Sequence, residues 1–298
     1  MRKHLTTILL ILIFLVGFGL LLYPTFSDWW NTFHQSRAVV SYIGSVTDLD
    51  NEEYDEMLEE AREYNARLAR TRTEYTLTDE QLEEYNSVLN VSGTGIMGYV
   101  DIPSIKVTLP IYHGTDEAVL QTAVGHIEST SLPVGGANTH CVISGHRGLP
   151  SARLFTDIDR LTVGDIFTLN VLDEVLTYEV EQILIVEPYD LSGLQIIPGR
   201  DLVTLVTCTP YGINTHRLLV RGHRIETGKV SNVRVMADAI QIDKTTVAVF
   251  IAAPVLLALM GIVLIATGIQ RRRIRRLRSM QAYALPAKIY LCSGREGI

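Results

Sequence analysis

The chain has 298 residues, 47% of them apolar, which allows one large globular domain or two small ones. It carries 26 basic and 33 acidic residues, and leaving out segments 1–4 and 270–298 reduces these to 16 basic against 32 acidic. The acidic balance of the central region argues against a nucleic-acid partner, because a phosphate backbone is held chiefly by Lys and Arg.

Two uncharged apolar runs flank this central region, at residues 5–22 and 247–269. At about 1.5 Å of rise per residue, each helix would reach roughly the 30 Å of a hydrocarbon core, so each predicts a transmembrane helix. A cleaved signal peptide is the alternative for the first run, although no small-x-small cleavage pattern follows it. Basic residues flank both runs on their outer ends, which predicts cytoplasmic termini and an exported central region. Trp29 and Trp30 suit an interfacial belt.

The exported region changes from helical to β-type patterning at about Gly95. Segment 48–69 carries apolar residues at helical spacing beside many acidic ones, and Thr78–Gln81 forms a capping box for a second helix. After Gly95 come seven short β-type runs broken by Gly and Pro, which favour a closed barrel. Residues 118–126 and 152–161 are expected to form short helices between the strands.

Cys208 ends an apolar β-type run and is followed by Thr209-Pro210, so the strand should stop there and present its thiol at a rim. Two other interpretations remain open. Cys208 is either a buried structural cysteine or the partner of Cys141 in a disulfide, since both lie in the exported region. Cys292 falls in the cytoplasmic tail.

Candidate partners for this thiol follow two other β-type runs. His146 lies just past one of them, between small residues that allow another segment to approach, although an isolated histidine is often incidental. Arg217 and Arg221 share one face of a strand, and their spacing does not choose between them. A metal site is a further alternative, but no CxxC or HExxH pattern appears, so no metal or cofactor is expected. Its possible ligands are His126, His140, Cys141, His146, His216 and His223.

The stretch Thr204–Cys208 matches the TLxTC signature of sortases, and residues 207–224 closely resemble class C, pilus-assembling sortases. The catalytic histidine of that family matches His146, and its arginine matches Arg217, nine residues after the cysteine. The two apolar runs also resemble that class. The resemblance implies a transpeptidase in which Cys208 is the nucleophile, His146 the acid–base group and Arg217 the electrostatic partner, with Thr207 in substrate binding.

The resemblance also implies the partners. An LPxTG-like sorting signal on a pilin or surface protein is cleaved after Thr, and a pilin lysine resolves the acyl-enzyme. Membrane lipid is the remaining partner, because the enzyme is anchored at the cell membrane with its catalytic domain outside. Two alternatives stay open: a housekeeping sortase that joins proteins to the cell wall, and an inactive anchored barrel that only binds them.

One departure concerns the lid that class C sortases usually place over the active site. The usual lid carries Asp-Pro-aromatic, and this chain has no Asp-Pro pair. The place of the tripeptide is taken by Tyr75, Thr76 and Leu77. Tyr75 cannot supply the carboxylate that would bind the catalytic arginine, so this contact is absent unless Glu74 replaces it, and we expect a lid that is present but weakly held, closed mainly by apolar contact from Leu77 or Tyr75.

The expected fold is mainly β, a sortase-type closed barrel with short helices, an N-terminal helical and lid segment and two flanking transmembrane helices. The expected organisation is a cytoplasmic N-terminus at 1–4, a transmembrane helix at 5–22, a helical and lid segment at 23–94, the catalytic barrel at 95–230, a linker at 231–246, a transmembrane helix at 247–269 and a basic cytoplasmic tail at 270–298.

Overall fold

A computed structural model describes residues 2–71, 77–227 and 244–283. Contacts divide the chain into two compact units, one of Pro24–Ala237 and one of Met1–Tyr23 with Asp238–Ile298. The helices are α1 (Arg2–Thr47), α2 (Asn51–Arg70), α3 (Asp79–Ser87), α4 (Glu117–Leu120) and α5 (Lys244–Tyr283).

Helix α1 is longer than the sequence indicates, because it continues from the apolar run 5–22 without a break to Thr47. Among the described residues it is the helix that is long and apolar enough to cross a membrane, with a mean hydropathy of 2.5 in its most apolar window. Helix α5 covers the second apolar run, 247–269, and its crossing of a membrane stays a prediction.

Helices α2 and α3 form as the sequence predicts. Each begins with a reciprocal capping box, Asp50 with Glu53 in α2 and Thr78 with Gln81 in α3, which satisfies backbone N–H groups that the first turn leaves free. Helix α2 is fixed to the barrel by Asn65, whose side-chain amide exchanges two hydrogen bonds with the backbone of one core residue.

The predicted closed barrel is confirmed. Eight strands follow one another around it in the order β1-β2-β3-β4-β7-β8-β6-β5. They are β1 (Ile96–Ile102), β2 (Val107–His113), β3 (Val124–His126), β4 (Thr139–Ser144), β5 (Ile166–Val171), β6 (Glu174–Val186), β7 (Asp201–Thr209) and β8 (His216–Ile225). Strand pairs β2/β3 and β4/β7 are parallel, and the other pairs are antiparallel.

Both predicted interstrand helices are wrong for most of their length. In segment 118–126, α4 ends at Leu120 and the chain then forms β3, which closes the barrel between β2 and β4. Gly125 permits this, because a Cβ there would lie 2.1 Å from a backbone oxygen of the chain beside it. Segment 152–161 forms short turns instead of an α-helix, because its internal backbone bonds join residues three positions apart, among them the 3-10 turn Ile158–Arg160, while the Phe155 N–H donates outside the segment to the His146 carbonyl.

A buried histidine joins α3 to the barrel. The ring of His126 is fully buried, its Nε2 donates to the Ser131 carbonyl at 2.8 Å, and its Nδ1 lies 2.9 Å from the Tyr85 hydroxyl. Because the carbonyl can only accept, Nδ1 is the ring nitrogen that accepts from Tyr85. Burial lowers the pKa of His126 to about 4.

This histidine should make the fold sensitive to acid. Below pH 6.5 the unfolded chain takes up a proton that the folded chain resists until about pH 4, so stability falls as pH decreases across this window. The expected loss reaches about 3 kcal/mol. Urea denaturation of the full chain in detergent at pH 7 and pH 4.5 measures it. His126→Asn should lose less stability over the same interval, and an equal loss in both proteins would contradict the assignment.

Candidate active site

Cys208 lies at the second-last position of β7, directly opposite Arg217 of β8 in the antiparallel ladder. Directly opposed residues place their side chains on the same face, with Cβ atoms about 5 Å apart. The thiol is unpaired and half exposed. The strand runs one residue further than predicted, to Thr209, but the expected position of the thiol at a barrel rim is correct.

His146 reaches the same rim because β4 runs parallel to β7. The last pair of this ladder is Ser144 with Val206, and His146 and Cys208 each follow two residues later. The N–H of Gly145 donates to the Val206 carbonyl at 3.0 Å, which continues the alignment beyond the ladder. The topology therefore brings the predicted cysteine, histidine and arginine to one rim, called the Cys208 rim below.

The small residue before His146 does allow another segment to approach. A Cβ on Gly145 would lie 2.7 Å from the Phe155 ring, so only glycine fits without displacing that ring. The Phe155 N–H also donates to the His146 carbonyl at 3.2 Å. The loop after His146 therefore folds back over the backbone of this residue and fixes it.

Thr207, predicted to bind substrate, has another contact in the structure. Its side chain is 2% exposed, and its hydroxyl donates to the Gly145 carbonyl at 2.7 Å. This bond ties the residue before Cys208 to the residue before His146. A direct contact of Thr207 with substrate stays a prediction.

The register distinguishes the two arginines, which their spacing in the sequence left equivalent. Arg221 lies opposite Thr204, and its Nε donates to Glu181 at 2.9 Å. Burial opposes ionisation of Glu181, yet Arg200 and Arg221 together lower its pKa below the ordinary value. Arg217 instead lies opposite Cys208 and donates to main-chain carbonyls next to it in sequence, at 3.2 and 3.4 Å. Arg217 is therefore the arginine that faces the thiol.

Cys141 has a structural position, and the disulfide alternative is wrong. Its thiol is unpaired and 3% exposed, and burial raises its pKa well above the ordinary value. Cys141 lies opposite Val203, five residues before Cys208 on β7. Five strand residues span roughly 16 Å, whereas disulfide-bonded Cα atoms lie about 4.4–6.8 Å apart.

Two of the histidines considered as metal ligands are used by the fold. The ring of His126 contacts Ser131 and Tyr85, as described above. The ring of His140 contacts the Gln195 carbonyl at 2.8 Å and the Thr204 hydroxyl at 2.7 Å. Within the described ranges, no three His, Cys, Asp or Glu side chains lie close enough together to hold a metal ion.

Arg147 is a residue of this rim that the sequence reasoning missed. Its side chain is 10% exposed and pairs with Asp159, and it donates to the Thr209 hydroxyl at 3.2 Å. Its guanidinium also lies over the Tyr211 ring, 5.9 Å from the centroid. Arg147 therefore links the loop after His146 to the chain on both sides of Pro210. Its position next to His146 was the signal available.

The lid prediction falls mostly on residues that are not described. Tyr75 and Thr76 lie outside the described residues. Leu77 is half buried and packs against the hydrophobic core at the start of α3.

Comparison with known proteins gives a consistent result. The family described as Sortase domain matches residues 100–225, which include all three predicted catalytic residues. Sortase A of Streptococcus agalactiae is 30% identical over 139 residues, 46% of this chain and 56% of that protein. Sortase D of Bacillus subtilis is 31% identical over 131 residues, 43% of this chain and 63% of that protein. The chain thus spans less than two thirds of these relatives.

Solved structures match more fully. Sortase C1 from Streptococcus agalactiae is 52% identical with a TM-score of 0.63, covering 64% of this chain and 98% of that one. Sortase C of Clostridium perfringens, solved with the C-terminal cell wall sorting motif, is 43% identical with a TM-score of 0.57, covering 64% of this chain and 99% of that one.

Proposed function

Because this chain belongs to the sortase family, and its structural neighbours are class C sortases, we propose that it is a cysteine transpeptidase that assembles pili. It cleaves an LPxTG-like sorting signal after Thr, holds the acyl group as a thioester on Cys208, and transfers it to a pilin lysine. The observation that carries this proposal is the alignment of Cys208 with Arg217 on one rim, with His146 at the same height on the neighbouring strand.

The first half-reaction needs a thiolate. An ordinary thiol is largely protonated at neutral pH, and an imidazolium beside it favours the thiolate. His146 supplies that cation. When Cys208 attacks the Thr carbonyl, the C–N bond breaks, and His146 gives its proton to the leaving amine.

Arg217 acts on the charge that develops during the attack. As sulfur adds to the carbonyl carbon, negative charge moves onto the oxygen, and a positioned donor stabilises it more strongly in the transition state than in the substrate. The Arg217 side chain leaves the same face of the ladder as the thiol, which supports this role for its guanidinium.

The second half-reaction uses the same groups in reverse. Neutral His146 takes a proton from the incoming lysine amine, which attacks the thioester carbonyl, and the Cys208 thiolate leaves. The result is an amide bond between Thr and lysine, with no net change in redox state. Water can replace the amine, in which case the signal is hydrolysed.

Membrane anchoring suits this substrate. Helix α1 is apolar over a membrane's length, and the resemblance to class C sortases implies substrates that are held at the same membrane. Confinement to one surface raises the effective concentration of a weakly bound signal. We propose that both apolar helices span the membrane, with the barrel outside and both termini in the cytoplasm.

The proposal is tested by incubating the full chain in detergent with pilins that carry LPxTG-like signals. Products that resist SDS and increase in steps of one pilin would establish polymerisation. Transfer to a wall-precursor amine without such ladders would favour the housekeeping alternative. A signal peptide with an electrophilic end should modify Cys208, and failure to modify it would leave only the binding-barrel alternative.

The two arginines on β8 provide a matched pair of variants. Arg217→Ala should lower kcat/KM for a signal peptide at least about 10²-fold, because a transition-state donor is lost. Arg221→Ala should cost much less, because Arg221 pairs with Glu181, away from the thiol. Single-turnover acylation measures both. The opposite order of the two effects would mean that Arg221 faces the substrate.

A further inference from the structure

An aromatic stripe lies on the part of α1 that follows the first apolar run. It consists of Phe26, Trp29, Trp30 and Phe33, which recur at the spacing of one helix face. Their side chains are 48–60% exposed, and neighbouring rings lie 5.9–6.3 Å apart between centroids. A contiguous group of four exposed aromatic side chains on an otherwise acidic region indicates a binding partner.

The height of the stripe relative to the barrel is fixed by contacts on the other side of the helix. Asp28 accepts a hydrogen bond from the Arg153 N–H at 2.9 Å, and Asn31 donates to the Ser151 carbonyl at 2.7 Å. Ser151 and Arg153 belong to the loop that folds back over His146. The stripe therefore lies level with the Cys208 rim.

The far end of α1 reaches the opposite rim. The Tyr42 hydroxyl donates to the Met97 carbonyl at 3.1 Å and accepts from the Leu172 N–H at 2.8 Å. Both partners lie at the barrel end opposite Cys208, because the registers of β1, β5, β6 and β8 place them there. From Asp28 to Tyr42 the helix rises about 21 Å, comparable to the length of β7.

The stripe points away from the barrel. At about 100° per residue, the barrel-facing positions Asp28, Asn31 and Tyr42 cluster on one side of the helix, and the four aromatic residues lie nearly opposite. The barrel therefore leaves the stripe uncovered, and the stripe begins four residues after the apolar run ends at Leu22.

The Cys208 rim itself exposes apolar side chains on three separate loops. They come from the segment before β5, the β6–β7 connection and the β7–β8 connection, and their exposed fractions run from 59% to 94%. The residues are Val163, Tyr189, Tyr211 and Ile213. Three loops that are distant in sequence thus present apolar tips at the rim with which the aromatic stripe is level.

We propose that the partner of both surfaces is the lipid bilayer, so that the Cys208 rim faces the membrane and the aromatic stripe lies in the interfacial layer. Tryptophan and other aromatic residues are enriched at that layer, and the stripe rises about 10 Å, enough to extend through a headgroup layer of roughly 5–8 Å on one side of the bilayer. The inference rests on the proposed membrane anchoring but not on the proposed reaction.

Energy transfer to the membrane tests the orientation without requiring activity. The full chain with Cys208→Ala and Cys292→Ser leaves only buried Cys141, and a donor dye is added through Ile213→Cys or, as the matched control, Val175→Cys at the far rim. In vesicles of phosphatidylcholine and phosphatidylglycerol carrying a headgroup acceptor, the donor at 213 should lie closer to the lipid by at least about 15 Å, given a strand length of roughly 26 Å. Equal distances, or a closer donor at 175, would overturn the proposal.

The two tryptophans of the chain report on the stripe directly. Lipids labelled near the headgroup should quench their fluorescence more strongly than lipids labelled at the end of the acyl chain. Absent quenching, or quenching mainly by the deep label, would overturn the interfacial assignment. Absence of pilin transfer by the native chain, together with the expected distances in the labelled variants, would instead refute the proposed reaction and leave the orientation intact.

Discussion

Replacing Cys208 by alanine should abolish transfer of a sorting signal, with a loss of at least about 10³-fold, because no thioester can then form. Cys141→Ala is the matched control. Cys141 is packed inside the barrel on the strand that leads to His146, so its removal should leave most of the activity. Rates are measured by single turnover with a signal peptide and an amine acceptor.

Two experimental outcomes would show that Cys208 is not the nucleophile. Activity that survives in the Cys208→Ala variant, or a loss in Cys141→Ala as large as in Cys208→Ala, would contradict the assigned nucleophile. A thermal unfolding measurement of both variants distinguishes loss of chemistry from loss of fold.

Replacing His146 by alanine should lower the rate at least about 10²-fold, because the variant loses both the cation beside the thiolate and the proton donor for the leaving amine. His216→Ala is a suitable control, since His216 lies at the same rim but contacts Glu187 at 3.4 Å. Its rate should stay within a few-fold of the native rate.

The pH profile separates a catalytic from a structural role of His146. The native rate should rise and then fall with pH, since thiolate and imidazolium must be present together. The His146→Ala variant should lose the decrease at high pH, because its thiolate no longer depends on a protonated partner. An unchanged bell shape in that variant would assign the acid–base role to another group.

Most of the scaffold could be predicted because its signals are local. Capping boxes, alternating β-type runs and turn residues are written in adjacent residues, and the sequence located α2, α3 and seven of the eight strands from them. Strand β3 was missed because three residues carry no periodicity, and it exists only through pairing with β2 and β4. Segment 152–161 was misassigned for a similar reason, since the Phe155 N–H bonds to the His146 carbonyl across the chain and the rest of the segment forms only short turns.

Prediction of the active site from the sequence was limited in the same way. The residues Cys208 and His146 were identified from strand ends and motif, whereas Arg217 was preferred over Arg221 only through the family resemblance, because strand spacing does not contain the β7–β8 register. The roles of Thr207 and Arg147 also depend on partners about 60 residues away in the chain. Sequence reasoning therefore found the reactive groups more readily than the groups that hold them in place.

The parallel pairing of β4 with β7 has a consequence for how the protein matures. If the proposed export delivers the chain unfolded, the thiols of Cys141 and Cys208 are both open to oxidants until the barrel forms. Paired residues of these two strands are 62 positions apart, so their docking is a non-local contact that has to close a long loop. That step buries Cys141 and fixes Cys208 at the rim in one movement. Completion of the fold is thus also the moment at which the two thiols can no longer be wrongly joined.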